Sequence, residues 1–205
     1  MPPAFSPAAD RNKQAILDVL RQVLPEQGRA MEIASGTGQH VAWFARHLPP
    51  WTWQPTDADA PALNSIEARI AQEQLANVRA PLLLDVLSQV WLPEDMALFD
   101  AIYCANMLHI APWATCAALM QGAARHLAPG GQLITYGPYL EDTVPTAPGN
   151  LAFDASLRSQ QACWGLRRRE DVELEAARAG LQLTQRFALP ANNLLLVWMR
   201  APAGA

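Results

Sequence analysis

The stretch at residues 32–40 reads EIASGTGQH and is the most informative feature of this chain. It pairs a carboxylate, Glu32, with a turn that contains Gly36 and Gly38, and a helix-like run follows. Glycine has no Cβ and adopts positive φ readily, so such a turn lets a ligand approach the backbone. The free N–H groups at the start of the helix point at that ligand. Asp57 follows nineteen residues after Gly38, at the end of a second strand-like run. An α/β nucleotide-binding fold has its ribose-binding carboxylate at about this distance, so we expect a nucleoside-containing cofactor.

The residues around the turn distinguish between cofactors. A dinucleotide fingerprint, G-x-G-x-x-G/A, ends on a small residue, whereas this chain has Val41 at that position. Glu32 would repel a pyrophosphate and attract a cation or an amino group. S-adenosylmethionine (SAM) carries a sulfonium, an α-amino group and a ribose, and it has no phosphate. The pattern acidic-x-G-x-G-x-G is typical of class I methyltransferases, and residues 32–38 are similar to it, with Ala34 in place of the first glycine.

Each carboxylate in this region has a predicted partner on SAM. Glu32 is expected near the methionine end, and Asp57 is expected to accept both ribose hydroxyls, because a carboxylate offers two oxygens to a vicinal diol. Asp59 competes for the ribose role. Asp85 ends a third short strand and is expected to meet the adenine amino group, with a helix N-cap as the alternative. The predicted cofactor-binding residues are Asn12, Glu32, Ala34, Ser35, Gly36, Gly38, Asp57, Asp85 and Asn106.

Composition excludes several other classes of protein. A chain of 205 residues is expected to form one domain over residues 1–205. The net charge of −4 argues against a nucleic-acid surface. Three cysteines in apolar settings indicate reduced thiols in a cytoplasmic protein. The histidines and cysteines lack zinc-ligand spacing, the first residues show no basic-then-apolar pattern, and no apolar run reaches membrane-spanning length. We therefore expect a small-molecule substrate, no metal, no nucleic-acid or membrane partner, and a monomer or homodimer.

Alternating apolar periodicities predict an α/β fold. An N-terminal helix is expected over about 10–24, with Asp10 as its N-cap. Strands and helices then alternate up to a strand that ends at Gly137, and two strands joined by residues 190–193 form an antiparallel hairpin at the C-terminus. The prediction is a Rossmann-like, doubly wound mixed sheet of about seven strands, mostly parallel, with a reversed C-terminal strand. An irregular segment over about 138–166 is expected to act as a lid or substrate insert.

Motifs along nearly the whole chain resemble a small family of methyltransferase-like proteins that is labelled only as a domain of unknown function. The resemblance lies in residues 10–13, 32–40, 53–57, 106–110, 136–139, 150–158 and 190–194. It implies a SAM-binding, Rossmann-like fold and names no substrate.

Two segments hold the candidate acceptor-side residues. His109 lies just after the fourth strand and is expected to be the best general base, with a pKa near working pH; a packed, hydrogen-bonded histidine is an equal alternative. Asn106 ends that strand and is expected to contact the methionine moiety. Tyr139 is the second candidate catalytic residue. Predicted substrate contacts in the 138–166 segment are Asn150, Phe153, Asp154 and Arg158, where Arg158 suits a carboxylate or phosphate; a purely structural loop is the alternative.

The sequence therefore favours a SAM-dependent methyltransferase with a small-molecule acceptor. Methyl transfer from an activated donor depends mainly on proximity and alignment. A SAM-binding sensor or partner subunit without turnover remains open, because no Asn-Pro-Pro-Tyr motif for amino-nitrogen methylation is present. A nicotinamide-dependent oxidoreductase is opposed by Val41 and by the lack of a Tyr-x-x-x-Lys pair.

Overall fold

The computed structural model of the protein describes residues 2–93, 96 and 98–200. The chain divides into two compact units, one that ends at Cys104 and one that begins at Ala105. The sequence had predicted one domain over residues 1–205. No helix in the described part of the chain is long and apolar enough to cross a bilayer.

The first unit alternates helices and parallel strands. Its elements are α1 (Pro7–Val23), β1 (Gly28–Ile33), α2 (Gln39–His47), β2 (Trp51–Asp57), α3 (Ala60–Glu73), β3 (Leu82–Leu83) and β4 (Phe99–Ala105). The strands lie in the order β3-β2-β1-β4, and all three pairings are parallel. Glu32 is in register with Pro55, so Glu32 and Asp57 both lie at the carboxyl ends of neighbouring strands, where open α/β sheets bind ligands.

Large apolar side chains fix these strand ends. Met31 and Ile33 of β1, Trp51 and Trp53 of β2, and Phe44 of α2 are each at most 1% exposed. Parallel strands are covered on both faces, which is why they read as nearly continuous apolar runs. The turn between β1 and α2 therefore starts and ends in well-packed structure.

Helix α1 begins earlier than the predicted range of about 10–24. Ser6 is its N-cap and accepts a hydrogen bond from the backbone N–H of Ala9 at 3.3 Å, and Pro7 occupies the first turn. Asp10, the predicted cap, lies inside the first turn, where its charge interacts favourably with the helix dipole. The prediction of Asp10 as the cap is wrong because Pro7 starts the helix one turn earlier.

The second unit contains the reversed strand. Its elements are a short 3₁₀ helix (Leu108–Ile110), α4 (Ala114–His126), β5 (Leu127–Leu140), α5 (Pro148–Gln160), β6 (Arg167–Arg168), α6 (Arg169–Arg178), β7 (Leu181–Leu189), a second 3₁₀ helix (Pro190–Asn192) and β8 (Asn193–Arg200). Strand β8 lies between β5 and β7 and is antiparallel to both, while β6 pairs with β5 in parallel. The predicted C-terminal hairpin is confirmed as β7 and β8.

The segment over 138–166 is more regular than predicted. Strand β5 continues to Leu140, and α5 occupies thirteen residues from Pro148 to Gln160. Pro148 stands in the first turn of α5, and Leu157 is buried at 3% exposure. The prediction of an irregular insert is therefore wrong for the helical part, and a helix carries the four predicted substrate contacts.

These elements confirm the predicted α/β fold class, Rossmann-like with mostly parallel strands and a reversed strand near the C-terminus. Eight strands occur in the part of the chain that the structure describes, where about seven were expected. The two-residue strand β6 is too short to give a periodic signal in the sequence.

Candidate functional site

Three residues of the turn after β1 have left-handed backbone. Ala34, Gly36 and Gly38 have φ values of 55°, 55° and 73°. A Cβ on Gly36 would meet no heavy atom within 4 Å, so this side of the turn is open to a ligand. A Cβ on Gly38 would lie 3.2 Å from the Cα of Ile66 on α3, so this glycine permits close helix packing. Ala34 adopts the backbone conformation that a glycine at its position would adopt, at the cost of strain.

Asp57 is tied directly to this turn. Its Oδ2 accepts a hydrogen bond from the N–H of Gly36 at 2.7 Å, and its Oδ1 accepts one from the N–H of Asp59 at 2.9 Å. The N–H of Ser35 also donates to the carbonyl of Thr56 at 2.9 Å. Each carboxylate oxygen of Asp57 has a second lone pair, so both oxygens can accept a further hydroxyl donor. Asp57 is half-buried at the strand end, whereas Asp59 is exposed and its side chain makes no capping bond.

Glu32 has a buried carboxyl group with one oxygen that is not hydrogen-bonded within the described part of the chain. It is 2% exposed, and its Oε2 has no hydrogen-bond partner among the described residues. Burial raises the pKa of Glu32 to about 8, and the nearby charge of Asp57 adds to the rise. Hydrogen bonds from the Ser35 side chain and the Val41 backbone act in the opposite direction. A cation beside Oε2 would both ionise Glu32 and complete its contacts, so the donor set fits a positively charged ligand.

Asn12 lies against the first turn of α2. Its Oδ1 is 2.7 Å from Nε2 of His40, and the hydroxyl of Tyr103 lies 3.4 Å from Nδ1 of the same ring. Burial lowers the pKa of His40 to about 4, so the ring is neutral and donates through Nε2 to Asn12. This bond ties α1 to the helix that follows the glycine turn. The predicted contact of Asn12 with the cofactor stays a prediction.

Asp85 lies two residues beyond the two-residue strand β3. Its Oδ1 accepts a hydrogen bond from the N–H of Leu87 at 2.9 Å, and its carbonyl accepts one from Ser88. The Asp85 side chain thus stabilises a turn, a role similar to the helix N-cap that was the alternative prediction for this residue. The side chain is exposed to solvent. Its contact with an adenine stays a prediction.

The second unit brings together a separate group of site residues. Asn106 has a φ of 57°, and its N–H donates to the carbonyl of Tyr136 at 2.8 Å. A Cβ on Gly137 would lie 3.6 Å from Nδ1 of His109 and 3.7 Å from Oδ1 of Asn106. The rings of His109 and Phe153 meet edge to face with centroids 5.6 Å apart. Asn106, His109, Gly137 and Phe153 therefore form one cluster.

Gly137 had not been singled out as a site residue. It lies inside strand β5, and a glycine in a strand interior signals close approach by another group. Here the approaching groups are the side chains of His109 and Asn106. That signal was available in the sequence.

His109 does not have the pKa expected of a general base. The side chain is 7% exposed, and burial together with the charge of Arg167 lowers its pKa to about 4. The expectation of a pKa near working pH is wrong. The imidazole is neutral at neutral pH and holds a free lone pair, but it is a weak base. Its catalytic role stays a prediction.

Arg167 braces the loop that carries His109, and sequence reasoning had missed this function. Its Nε donates to the carbonyl of Leu108 at 2.9 Å, and one terminal nitrogen donates to the carbonyls of Ala111 and Cys163 at 2.5 and 2.8 Å. The N–H of Gly165 donates to the carbonyl of His109 at 2.9 Å. In the sequence, Arg167 belongs to a run of three arginines that reads as a solvated helix start, so nothing pointed to this role.

The other predicted acceptor-side residues make internal contacts. The Tyr139 hydroxyl donates to Oγ1 of Thr135 at 3.0 Å, and Nδ2 of Asn150 donates to the carbonyl of Asn192 at 3.2 Å. Asp154 accepts from Nε of Arg158 at 2.8 Å and from the Leu166 N–H at 2.7 Å. The pairing with Asp154 raises the pKa of Arg158. These bonds give each residue a structural function, and the predicted roles of Tyr139 in catalysis and of the others in substrate binding stay predictions.

In the described part of the chain, no three His, Cys, Asp or Glu side chains form a group that would hold a metal ion.

A sequence profile of one protein family matches residues 3–200, and that family is described as "Protein of unknown function (DUF938)". The chain belongs to the DUF938 family. The match covers the glycine turn, Asp57, the His109 cluster and the C-terminal hairpin. The profile match therefore supports, along nearly the whole chain, the family resemblance predicted from the sequence motifs.

Solved structures of methyltransferases share the fold of the DUF938 chain. They include an O-methyltransferase family protein from Burkholderia thailandensis (TM-score 0.79, 18% identity), the mitomycin 7-O-methyltransferase MmcR (0.80, 14%) and CalO1, a methyltransferase of calicheamicin biosynthesis in an SAH-bound form (0.75, 14%). They cover 96%, 95% and 95% of this chain, which in turn spans 58%, 55% and 55% of theirs. The DUF938 chain therefore has the class I methyltransferase fold and a little over half the length of these proteins.

Proposed function

We propose that this DUF938 protein is a SAM-dependent methyltransferase that acts on a small-molecule acceptor. The observation that carries the proposal is the buried carboxyl of Glu32, whose Oε2 lacks a partner among the described residues. Isolated buried carboxyls are costly, and they persist where a ligand completes them. SAM offers two cationic groups, the sulfonium and the α-amino group, either of which would favour the ionised form of Glu32 and complete its contacts.

The remaining groups of the first unit suit the nucleoside part of SAM. The two oxygens of Asp57 are held in place by the N–H groups of Gly36 and Asp59, so they would bind a ribose diol with little rearrangement. The open face at Gly36 leaves room for the ligand beside the backbone. SAM supplies an electrophilic methyl group on sulfur when bound, so the protein's task is to orient the acceptor in line with it.

The cluster members His109, Gly137 and Phe153 form the proposed acceptor site, and Asn106 beside them is proposed to contact the methionine moiety of SAM. The neutral imidazole of His109 would accept a hydrogen bond from the molecule to be methylated and would thereby orient the lone pair of that molecule's attacking atom. Phe153 would pack against an apolar part of the same molecule. Because the pKa of His109 is lowered to about 4, this ring is too weak a base to ionise an aliphatic alcohol. Acceptors that ionise readily, or that attack in neutral form, are therefore favoured.

A calorimetric titration combined with a transfer assay tests the proposal. Purified protein is titrated with SAM, with S-adenosylhomocysteine (SAH) and with NADH, and it is then incubated with methyl-labelled SAM and fractionated metabolites. We expect micromolar binding of SAM and SAH, no binding of NADH, and label in a low-molecular-weight product. Asp57→Ala is the matched negative control for both steps.

The other outcomes separate the alternative functions. Tight SAM binding without label transfer to any fraction would indicate a SAM-binding sensor or partner subunit. Binding of NADH in preference to SAM and SAH would refute the proposed cofactor and favour an oxidoreductase.

A further inference from the structure

The carbonyl of Thr37, between the two glycines of the turn, is held by helix α3. Nε of Arg69 donates to it at 3.0 Å, and Oγ of Ser65 donates to it at 3.4 Å. Gly38 packs against Ile66 on the same helix. Residues 65–69 of α3 thus fix one side of the glycine turn.

The same side chains also hold the N-terminal segment Ala4–Ser6. The N–H of Ala4 donates to Oγ of Ser65 at 2.8 Å, and a terminal nitrogen of Arg69 donates to the carbonyl of Ala4 at 2.6 Å. The N–H of Ser6 donates to Oε1 of Gln39 at 2.5 Å, and Nε2 of Gln39 donates back to the Ser6 carbonyl at 3.3 Å. The segment is therefore connected to α3 and to the first residue of α2.

Gln39 completes the link because its Oε1 also accepts a hydrogen bond from Oγ1 of Thr37 at 2.9 Å. Ser65, Arg69 and Gln39 each bind Thr37 and the N-terminal segment at once. The third nitrogen of Arg69 lies 3.4 Å from Glu73, so each guanidinium nitrogen has a partner; the side chain is 14% exposed. Phe5, in contrast, is 64% exposed, so polar bonds rather than apolar burial hold the segment. Such a segment opens more easily than a packed element.

We infer that residues 4–6 form a clasp that positions the glycine turn for the cofactor, with Arg69 and Gln39 as the positioning residues that connect the two. This inference rests on the proposed function. The clasp holds Thr37, which lies between Gly36 and Gly38 of the proposed cofactor-binding turn, so a cofactor that orders this turn would also favour the closed clasp. By reciprocity, cofactor binding strengthens the clasp by the same factor by which the clasp strengthens cofactor binding.

Three variants test the clasp. Deletion of residues 2–5 removes the Ala4 contacts and leaves Ser6 as the helix cap. Arg69→Met removes the bridge but keeps the aliphatic stem. Arg46→Met is the matched control, because Arg46 also pairs with Glu73, at 3.0 Å, but does not contact the turn or the segment. Hydrogen exchange of residues 35–39 is measured in each ligand-free protein, and SAH affinity is measured by calorimetry.

We expect the deletion and Arg69→Met each to accelerate exchange over residues 35–39 and to weaken SAH about five- to tenfold, the effect of one or two lost hydrogen bonds. Combining the two changes should add little, because both break one linkage. Arg46→Met should match the natural protein in both measurements. Natural exchange rates in the deletion variant, or an equal effect of Arg46→Met, would overturn the inference. If the natural protein binds no SAH, the proposed function fails, while the exchange comparison still decides the clasp.

Discussion

Glu32 should release a proton when the protein binds SAM. The unliganded carboxyl has its pKa raised to about 8, chiefly by burial. A cation beside Oε2 favours the charged carboxylate and returns the pKa toward its ordinary value. Binding at neutral pH therefore converts a protonated Glu32 into an ionised one, and the proton leaves to the buffer.

The size of the effect follows from that pKa. At pH 7 a carboxyl with a pKa of about 8 is about 90% protonated, and at pH 9 it is about 10% protonated. A complex in which Glu32 is fully ionised thus releases about 0.9 proton from this group at pH 7 and about 0.1 at pH 9. The contribution of Glu32 to the affinity should rise about ninefold from pH 6 to 7 and about fivefold from pH 7 to 8, and it should level off above pH 8.

The assay is calorimetric titration with SAM in two buffers of different ionisation enthalpy, at pH 7 and pH 9. The α-amino group of SAM also titrates in this range, since such groups have a pKa of roughly 8. Glu32→Gln is the matched control, because it keeps a polar side chain of the same shape and cannot ionise. The difference between the natural protein and this variant isolates the proton from Glu32.

Equal proton release by the natural protein and Glu32→Gln would show that Glu32 does not ionise when SAM binds. So would an affinity for SAM that the glutamine variant retains in full between pH 6 and 9. Either result would mean that the carboxyl of Glu32 stays protonated beside the ligand or lies away from its positive charge.

Three further outcomes are expected. Asp57→Ala should weaken SAH by more than about tenfold, since loss of a charged acceptor costs roughly 1.5–3 kcal/mol; calorimetry on the folded variant measures it. Ala34→Gly should leave the free energy of unfolding within about 1 kcal/mol of the natural value or raise it, whereas Ala34→Val should lower it by about 1–2 kcal/mol, because φ is 55° there; urea unfolding compares them. His40 and His109 have folded-state pKa values of about 4 against 6.5 when unfolded, so the unfolded chain binds more protons between these pH values. The contribution of these histidines to the free energy of unfolding should therefore be fully present above pH 6.5 and should fall by up to about 3 kcal/mol per histidine as the pH drops to 4. Urea unfolding should be measured in the Glu32→Gln variant, because Glu32 changes the free energy of unfolding in the opposite direction between pH 4.5 and 8.

Much of the fold was predictable because its signals are local. The period of the apolar residues marks α1, and Gly180, with a φ of 76°, directly follows the C-cap of α6, a position at which glycine commonly ends a helix. The short connection at residues 190–193 forces its flanking strands to be antiparallel neighbours. The glycine turn was predictable for the same reason, since positive φ is a property of single residues.

Helix α5 was missed because its stabilisation is not local. Residues 148–160 include proline, glycine, asparagine and serine, which are poor helix formers in isolation. The helix is held instead by the burial of Leu157 and by the bond from Asn150 to the carbonyl of Asn192, forty-two residues away. Tertiary contacts of this kind leave no periodic trace in the segment itself.

The lowered pKa of His109 could not be predicted from the sequence for a similar reason. It depends on burial and on the charge of Arg167, which lies fifty-eight residues further along the chain. A sequence gives the ordinary pKa of an imidazole and no information on the charges that folding brings near it. Candidate bases identified from sequence therefore need the folded environment before a reaction is assigned to them.

Glu32 and Asp57 lie on neighbouring strands, and their different environments would give them different parts in the proposed recognition of SAM. Asp57 is half-buried and already accepts two backbone donors, so its geometry is fixed before a ligand arrives and its charge is satisfied. Glu32 is buried with one oxygen unpaired, so its charge is suppressed until a cation arrives. In the proposed complex Asp57 would therefore contribute affinity for any ribose, whereas Glu32 would discriminate by charge. A dinucleotide would satisfy Asp57 but would bring no cation to ionise Glu32, whereas a cationic nucleoside such as SAM would satisfy both residues.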